Sequence, residues 1–437
     1  MRVVRYVMVF IALVCSLSLV TVSLATAQSK EAPKGTEVGV SAKEVHIAVV
    51  ADSDNPIAPG LFQGAVNAAK GAATYLNSQA GGGGIGGRRI VVDFIDSHLN
   101  ANDTRNAIIS ACSDDFALVA TTVIFLASTA DQLACKDQAG AATGIPDVPS
   151  FVTGVAQSCS PITFPVSGVP LDCATKDQSP QTYRGNKGPQ LFLQKKFGKL
   201  HGVYIYSNDS KDATRATLAI VNTDVQSGIA ADQKVARSGR DPQSAYTSTV
   251  TQMKADKSNF ATGIGTQLAV PFAAEAQLQG VTGVVWSCST CYSKELAKNP
   301  VLEGTWVDSN YIPFEEANTN ATVKAFVKYV KNPDQYAVPG WTATLAFADA
   351  ARAVVAKRGL NGLTRASFLK DGIPTLDKFD AGGMIGTIDI PSKVPSHCYV
   401  MMHLQSGKYV RVHPTKKGTF DCSPKNASVT KADLLGQ

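Results

Sequence analysis

Between residues 45 and 138 the chain alternates short, β-branched apolar runs with stretches of helical period, and this alternation restricts the fold more than any other feature. Val45-His46-Ile47-Ala48-Val49-Val50 reads as a buried strand. Leu61, Ala65, Ala68, Ala72 and Leu76 then recur at three- and four-residue steps, which predicts a helix over residues 60–77. Strands follow at 90–95 and 116–123, and helices at 102–113 and 128–138. The pattern lapses over residues 145–180, which are rich in Pro, Ser and Cys. It resumes with helices near 190–197, 212–227, 244–255 and 272–279 and strands near 203–206, 231–236 and 281–286. At 437 residues the chain is too long for one ordinary domain. The expectation is an α/β protein of two doubly wound parallel-sheet lobes joined by a multi-strand hinge. Helices near 322–331 and 340–357 would return to the first lobe, and a hairpin at 398–413 would close the second.

The N-terminus and the cysteines both bear on location. Arg2 and Arg5 precede an apolar stretch that runs to about Ala25, and Ala25-Thr26-Ala27 has the small-x-small form of a signal-peptidase site. Residues 1–27 are expected to be a secretory signal, with an uncleaved membrane anchor as the alternative. Eight cysteines lie beyond Cys15: 112, 135, 159, 173, 288, 291, 398 and 422. An even number in an exported chain reads as disulfides; sequence does not fix their connectivity, and sequential pairing is the simplest. The formal charge of +6 comes from scattered residues, which argues for no nucleic-acid partner.

Several motifs invite a catalytic reading. Gly81, Gly83 and Gly86 satisfy GxGxxG, but a dinucleotide-binding loop must follow a strand and open a helix. Here the glycines follow a helix and open a strand, so a linker is the better reading. Neither a GxSxG elbow nor an HExxH helix is present, and the six histidines are scattered. Cys288-Ser289-Thr290-Cys291 is a CxxC at a strand end, readable as a redox pair or as a structural bridge. Ser128-Thr129 sits between a strand and a helix, where backbone N–H groups and hydroxyls could hold a carboxylate or could only cap the helix.

Ile47-Ala48-Val49-Val50, then Asn55-Pro56-Ile57-Ala58 and Phe62-Gln63-Gly64-Ala65, resembles the opening of the leucine/isoleucine/valine-binding proteins of ABC transporters. The glycine-rich segment from Asn77 to Ile90, Glu303-Gly304 and Gly382-Gly383 with Gly386 are also similar, and the likeness covers nearly all of residues 45–413. The resemblance implies a type I periplasmic-binding fold with three crossings between lobes, hinge closure on a ligand, and neither catalysis nor cofactor. It implies ligand contacts from Asn55 in the first loop, Ser128 and Thr129 after the third strand, and Thr153 after the next short strand. Tyr206 and Ser287 would contribute from strand ends of the second lobe. The sequence beside Ser287 offers no acidic residue to accept an ammonium group.

Under this reading residues 28–43 form a flexible leader, 44–155 and 306–380 the first lobe, 156–305 and 381–422 the second, and 423–437 a tail. The protein would be a periplasmic or cell-surface monomer that passes a small polar solute, a branched-chain amino acid or a related compound, to an ABC permease. A ligand sensor of the same fold serving a membrane receptor, and an exported hydrolase or redox enzyme, are the alternatives.

Overall fold

The computed structural model describes residues 31–54 and 60–434; the expected signal segment and Asn55 lie outside them. Among the described residues no helix is long and apolar enough to cross a membrane. The first sheet is parallel and built from β1 (Glu44–Ala51), β2 (Arg89–Asp96), β3 (Ala117–Val119) and β4 (Asp147–Val148), in the order β2-β1-β3-β4. Its helices α1 (Gln63–Asn77) and α2 (Ala101–Asp114) lie on opposite faces. Val45, Ile47 and Val49 face the core that contains α1, while Ala48 and Val50 meet Ala107, Ile108 and Ala111 of α2. Burial on both faces is why this strand reads as a continuous apolar run rather than as alternation. Asn100 caps α2 by accepting from the N–H groups of Asn102 and Asp103.

The glycine cluster is the turn from α1 into β2. Gly82, Gly83, Gly84, Gly86 and Gly87 all have positive φ. Arg352 donates to the carbonyls of Gly81 and Gly84 at 2.6 and 3.0 Å, so the loop is pinned by protein. The helix expected over 128–138 is only α3 (Ala130–Ala134). The disulfide Cys112–Cys135 ties its end to α2, and Asp137 then organises a turn by accepting from Ala141 N and Thr143 Oγ1.

A short α4 (Val155–Ser158) and β5 (Gln181–Asn186) precede the second sheet. Its elements are α5 (Gly188–Phe197), β6 (His201–Ser207), α6 (Lys211–Gln226), β7 (Ala230–Arg237), α7 (Thr247–Ala255), β8 (Phe260–Gly263), α8 (Thr266–Leu278), β9 (Val285–Ser287) and β10 (Trp306–Ser309). Along β6, Val203 and Ile205 pack with Val250, Leu268 and Phe272, and Tyr204 packs with Leu193 and Val221 on the other side. The doubly wound pattern is thus repeated.

After Ser309 the chain returns to the first sheet as α9 (Ala321–Tyr329) and α10 (Ala337–Arg358), whose buried face meets α1. It then adds the antiparallel hairpin β11 (Val400–Gln405) and β12 (Lys408–His413) beside β10. The second sheet therefore has seven strands, ordered β12-β11-β10-β9-β8-β6-β7. The chain passes between the two sheet regions three times, between residues 148 and 201, 309 and 321, and 376 and 400.

The described residues of both expected extensions, 31–43 and 423–434, are tied to the rest of the chain. Thr36 Oγ1 donates to Leu363 O at 2.6 Å, and Glu37 accepts from Arg365 N and Gln138 N. At the other end β13 (Ala427–Ala432) pairs antiparallel with β5. The four disulfides join neighbours in sequence: Cys112–Cys135, Cys159–Cys173, Cys288–Cys291 and Cys398–Cys422.

Candidate ligand-binding site

In open α/β sheets, ligands bind beyond the carboxyl ends of the strands. Those ends of the two sheets face each other here, around a cavity of about 450 Å³. The first sheet brings the segments after β3 and β4. Asp52 ties them together: its carboxylate accepts from Ser97 Oγ at 2.6 Å, Ile124 N at 2.8 Å and Leu99 N at 3.1 Å. Burial raises the Asp52 pKa and these bonds oppose the rise. The hydroxyls of Thr122 and Ser150 bond to each other and fix the neighbouring loop. From this base Ile124, Phe151 and Val152 reach the cavity, and Phe62 and Tyr336 complete an apolar wall with ring centroids 4.7 Å apart.

The second sheet contributes Ser207, Thr262, Ile264, Ser287 and Asp308 at or beyond the ends of β6, β8, β9 and β10. Helix α6 forms one long side. Ser210 caps it by accepting from Ala213 N at 3.1 Å. Ala213, Ala216, Ile220 and Asp224, at three- and four-residue steps, line the cavity. Arg215, near the start of the helix, donates to Asp212 at 2.7 Å and to the Thr153 carbonyl at 3.3 Å. Nine residues further, about 13 Å along the axis at 1.5 Å per residue, Asp224 lines the same cavity and lies near Asp308.

The site holds polar groups that the fold does not satisfy. Thr153 Oγ1 and Gln190 Oε1 are buried without a hydrogen-bond partner among the described residues. Burying such groups unpaired is costly, so they single themselves out as ligand contacts. Burial also raises the carboxyl of Asp224 well above its ordinary range, with Asp308 adding to the rise, and pushes Asp308 up to about 6. Both carboxyls therefore hold a proton, and can donate a hydrogen bond, more readily than an exposed carboxylate does.

Of the residues singled out in the sequence, Thr153 and Ser287 line this cavity. Thr129 faces an adjoining hollow with Val155, Asp212 and Arg215. Ser128 is exposed and its Oγ accepts from Ala130 N at 3.1 Å, which is a local turn contact. Tyr206 packs with Leu171, Tyr183 and Leu218 against α6 and does not line the cavity. Asp224, Asp308, Gln190 and Arg215 were not singled out. Asp308 carried a signal, a charge inside the apolar run Trp306-Val307-Asp308-Ser309, and Asp224 continues the buried stripe of α6.

Solved structures with the same architecture include a fatty acid ABC transporter substrate-binding protein from Thermomonospora curvata, at 17% identity and TM-score 0.61, covering 89% of this chain and 98% of that one. A leucine binding protein from Thermotoga maritima matches at 16% identity and TM-score 0.61, covering 84% and 97%. A solute binding protein of an ABC transporter from R. palustris, in complex with benzoate, matches at 16% identity and TM-score 0.60, covering 86% and 99%. At these identities the likeness shows the fold, which is the type I periplasmic-binding fold. No curated protein matches in sequence. A sequence model described as periplasmic binding protein matches residues 44–408. The match spans the first sheet, the second sheet as far as the start of β12, and the cavity between them, and the chain belongs to the periplasmic binding protein family.

Proposed function

We propose that this chain is the exported, monomeric substrate-binding protein of an ABC importer, and that it captures a small amphipathic carboxylate and delivers it to a membrane permease. The observation that carries the reading is the cavity itself: apolar walls from both sheets, an arginine beside the unpartnered Thr153 hydroxyl at one end, and Asp224 with Asp308 at the other. A ligand carboxylate would sit at Arg215 and Thr153, its apolar body would lie along Ile124, Phe151 and Ile220, and a polar tail would meet Asp224. Ser287 lies along the same wall. The branched-chain amino acids are the short members of this class, and the length along α6 favours a longer body. Thr129 in the adjoining hollow would support the carboxylate end; the same role for Ser128, Tyr206 or Asn55 draws no support from the described geometry.

The test is a thermal-shift and calorimetric panel of branched-chain amino acids, aromatic acids and medium-chain fatty acids, each beside its amide or methyl ester. A binder of the native state raises the melting temperature by mass action. The expected result is binding by at least one free acid and at least tenfold weaker binding by its neutral derivative. Binding only by uncharged solutes such as sugars would overturn the assignment.

A further inference from the structure

A second cluster of chemistry-bearing side chains lies on the first sheet, away from the carboxyl ends of its strands. In β1, His46 shares its face with Ala48 and Val50, the face that packs on α2. Strand β2 pairs with β1 in register so that Asp93 lies opposite Ala48, which puts Asp93 on that same face. Asp115 ends α2, immediately before the chain enters β3. The three side chains therefore converge where α2 ends, and one donor atom from each lies within 4.8 Å of the others. Ser110 and Asp114 of α2 line the surface hollow they form.

The cluster is more than a group of surface acids. Asp115 is 1% exposed, yet its Oδ1 has no hydrogen-bond partner among the described residues. His46 Nδ1 lies 2.7 Å from Asp93 Oδ2, and Nε2 is 3.6 Å from Glu44. The nearest cation, Arg365, spends its guanidinium on the backbone carbonyls of Cys112, Asp115, Phe116 and Lys136. Asp93 sets a second carboxylate beside the buried Asp115, and a cation held between them would be met by both. The carbonyl end of α2 adds a partial negative charge.

We propose that His46, Asp93 and Asp115 form a binding site for a first-row divalent cation, zinc foremost. One imidazole nitrogen and two carboxylates make the three-ligand N/O set such ions take, with water completing the shell. Calcium and magnesium, which prefer all-oxygen shells, fit this set less well. Bound metal would clamp β1, β2 and the α2–β3 turn of the first sheet, independently of any solute in the cavity.

The test uses the tag-free chain, stripped with EDTA and titrated with zinc chloride in a calorimeter. The expected result is one ion per chain, at least tenfold weaker binding of calcium and magnesium, and at least tenfold loss of zinc affinity in both His46→Gln and Asp115→Asn. Asp115→Asn keeps the shape of a side chain whose Oδ1 has no protein partner among the described residues, so metal-free Asp115→Asn should melt no lower than the stripped parent, which separates loss of the site from loss of the fold. Absence of zinc binding, zinc binding unchanged in both variants, or calcium bound as tightly as zinc would each overturn the assignment.

Discussion

Asp308 carries a cost that the fold tolerates at the cavity. Its carboxyl titrates at about 6 in the folded chain, against about 4 when unfolded. The native state therefore holds this proton more tightly. Its contribution to stability is present below about pH 4 and is lost as the pH rises to about 6, up to about 3 kcal/mol in all. Asp308→Asn should make the ligand-free protein more stable at pH 7, by about 1–3 kcal/mol, with the gap closing toward pH 4. Urea unfolding at both pH values measures it; a gap independent of pH would mean that Asp308 is not buried as described. Thr153 makes the complementary case. Thr153→Val keeps the shape and removes an unpartnered hydroxyl, so stability should hold or rise slightly while ligand affinity falls about 5- to 30-fold, the worth of one to two kcal/mol. Calorimetry with the best ligand of the acid panel reads this directly. Such residues are poorly legible in sequence because their meaning lies in what packs around them. Asp224 and Asp308 are 84 positions apart and meet only when α6 lies against the second sheet.

At the level of elements, periodicity carried most of the information, and it failed where elements are short. The strands at 44–51, 89–96 and 201–207 and helices α1, α2, α6 and α10 were readable because each presents several turns or pleats to a core. Strand β8, Phe-Ala-Thr-Gly, has too little apolar content to announce itself, although it is central in its sheet and fully buried. Strands β5 and β13 pair across more than two hundred residues, which no local pattern encodes. Helix α10 offers a test of packing against propensity. Gly→Ala inside a helix ordinarily stabilises by about 0.5–1 kcal/mol. At Gly340, however, a Cβ would stand 2.4 Å from the carbonyl oxygen of Ala65 in α1. Gly340→Ala should therefore destabilise, by about 1–3 kcal/mol, and lower the urea midpoint; a raised midpoint would show that the α1–α10 contact yields. The disulfides divide by role in a similar way. Cys288 and Cys291 are 3 apart in sequence and bracket the cavity-lining Ser289 and Thr290, while Cys398 and Cys422 are 24 apart and lie outside the cavity. Loop entropy assigns about 2 kcal/mol to the short closure and about 3.5 to the long one. Paired Cys→Ala changes should reverse their order between two measurements: the larger loss of melting temperature at 398/422, the larger loss of ligand affinity at 288/291.

For the molecule as a whole, the three passages of chain between the sheets set what motion is available. Each sheet is covered by helices, and the largest apolar core runs on from the first sheet and α10 to one face of β10 and β11 in the second, so the two halves share packing at that end. What joins them across the cavity is modest: the contact of Arg215 with the Thr153 carbonyl, and apolar wall residues that a solute would also touch. In a two-state hinge, a ligand shifts the equilibrium only by touching both halves better when they are closed. The alternating pattern foretold two such halves, because strand-and-helix repetition is local in sequence; the identity of the solute was not foretold, because it depends on a surface assembled from both. Saturating ligand should therefore reduce the radius of gyration measured by small-angle scattering. Thr153→Val at a concentration high enough to restore saturation should show the same reduction, since that change weakens one contact without altering the hinge. If ligand binds at full stoichiometry and the radius stays constant in both proteins, the halves form one rigid body and loading proceeds by movement of the cavity loops alone.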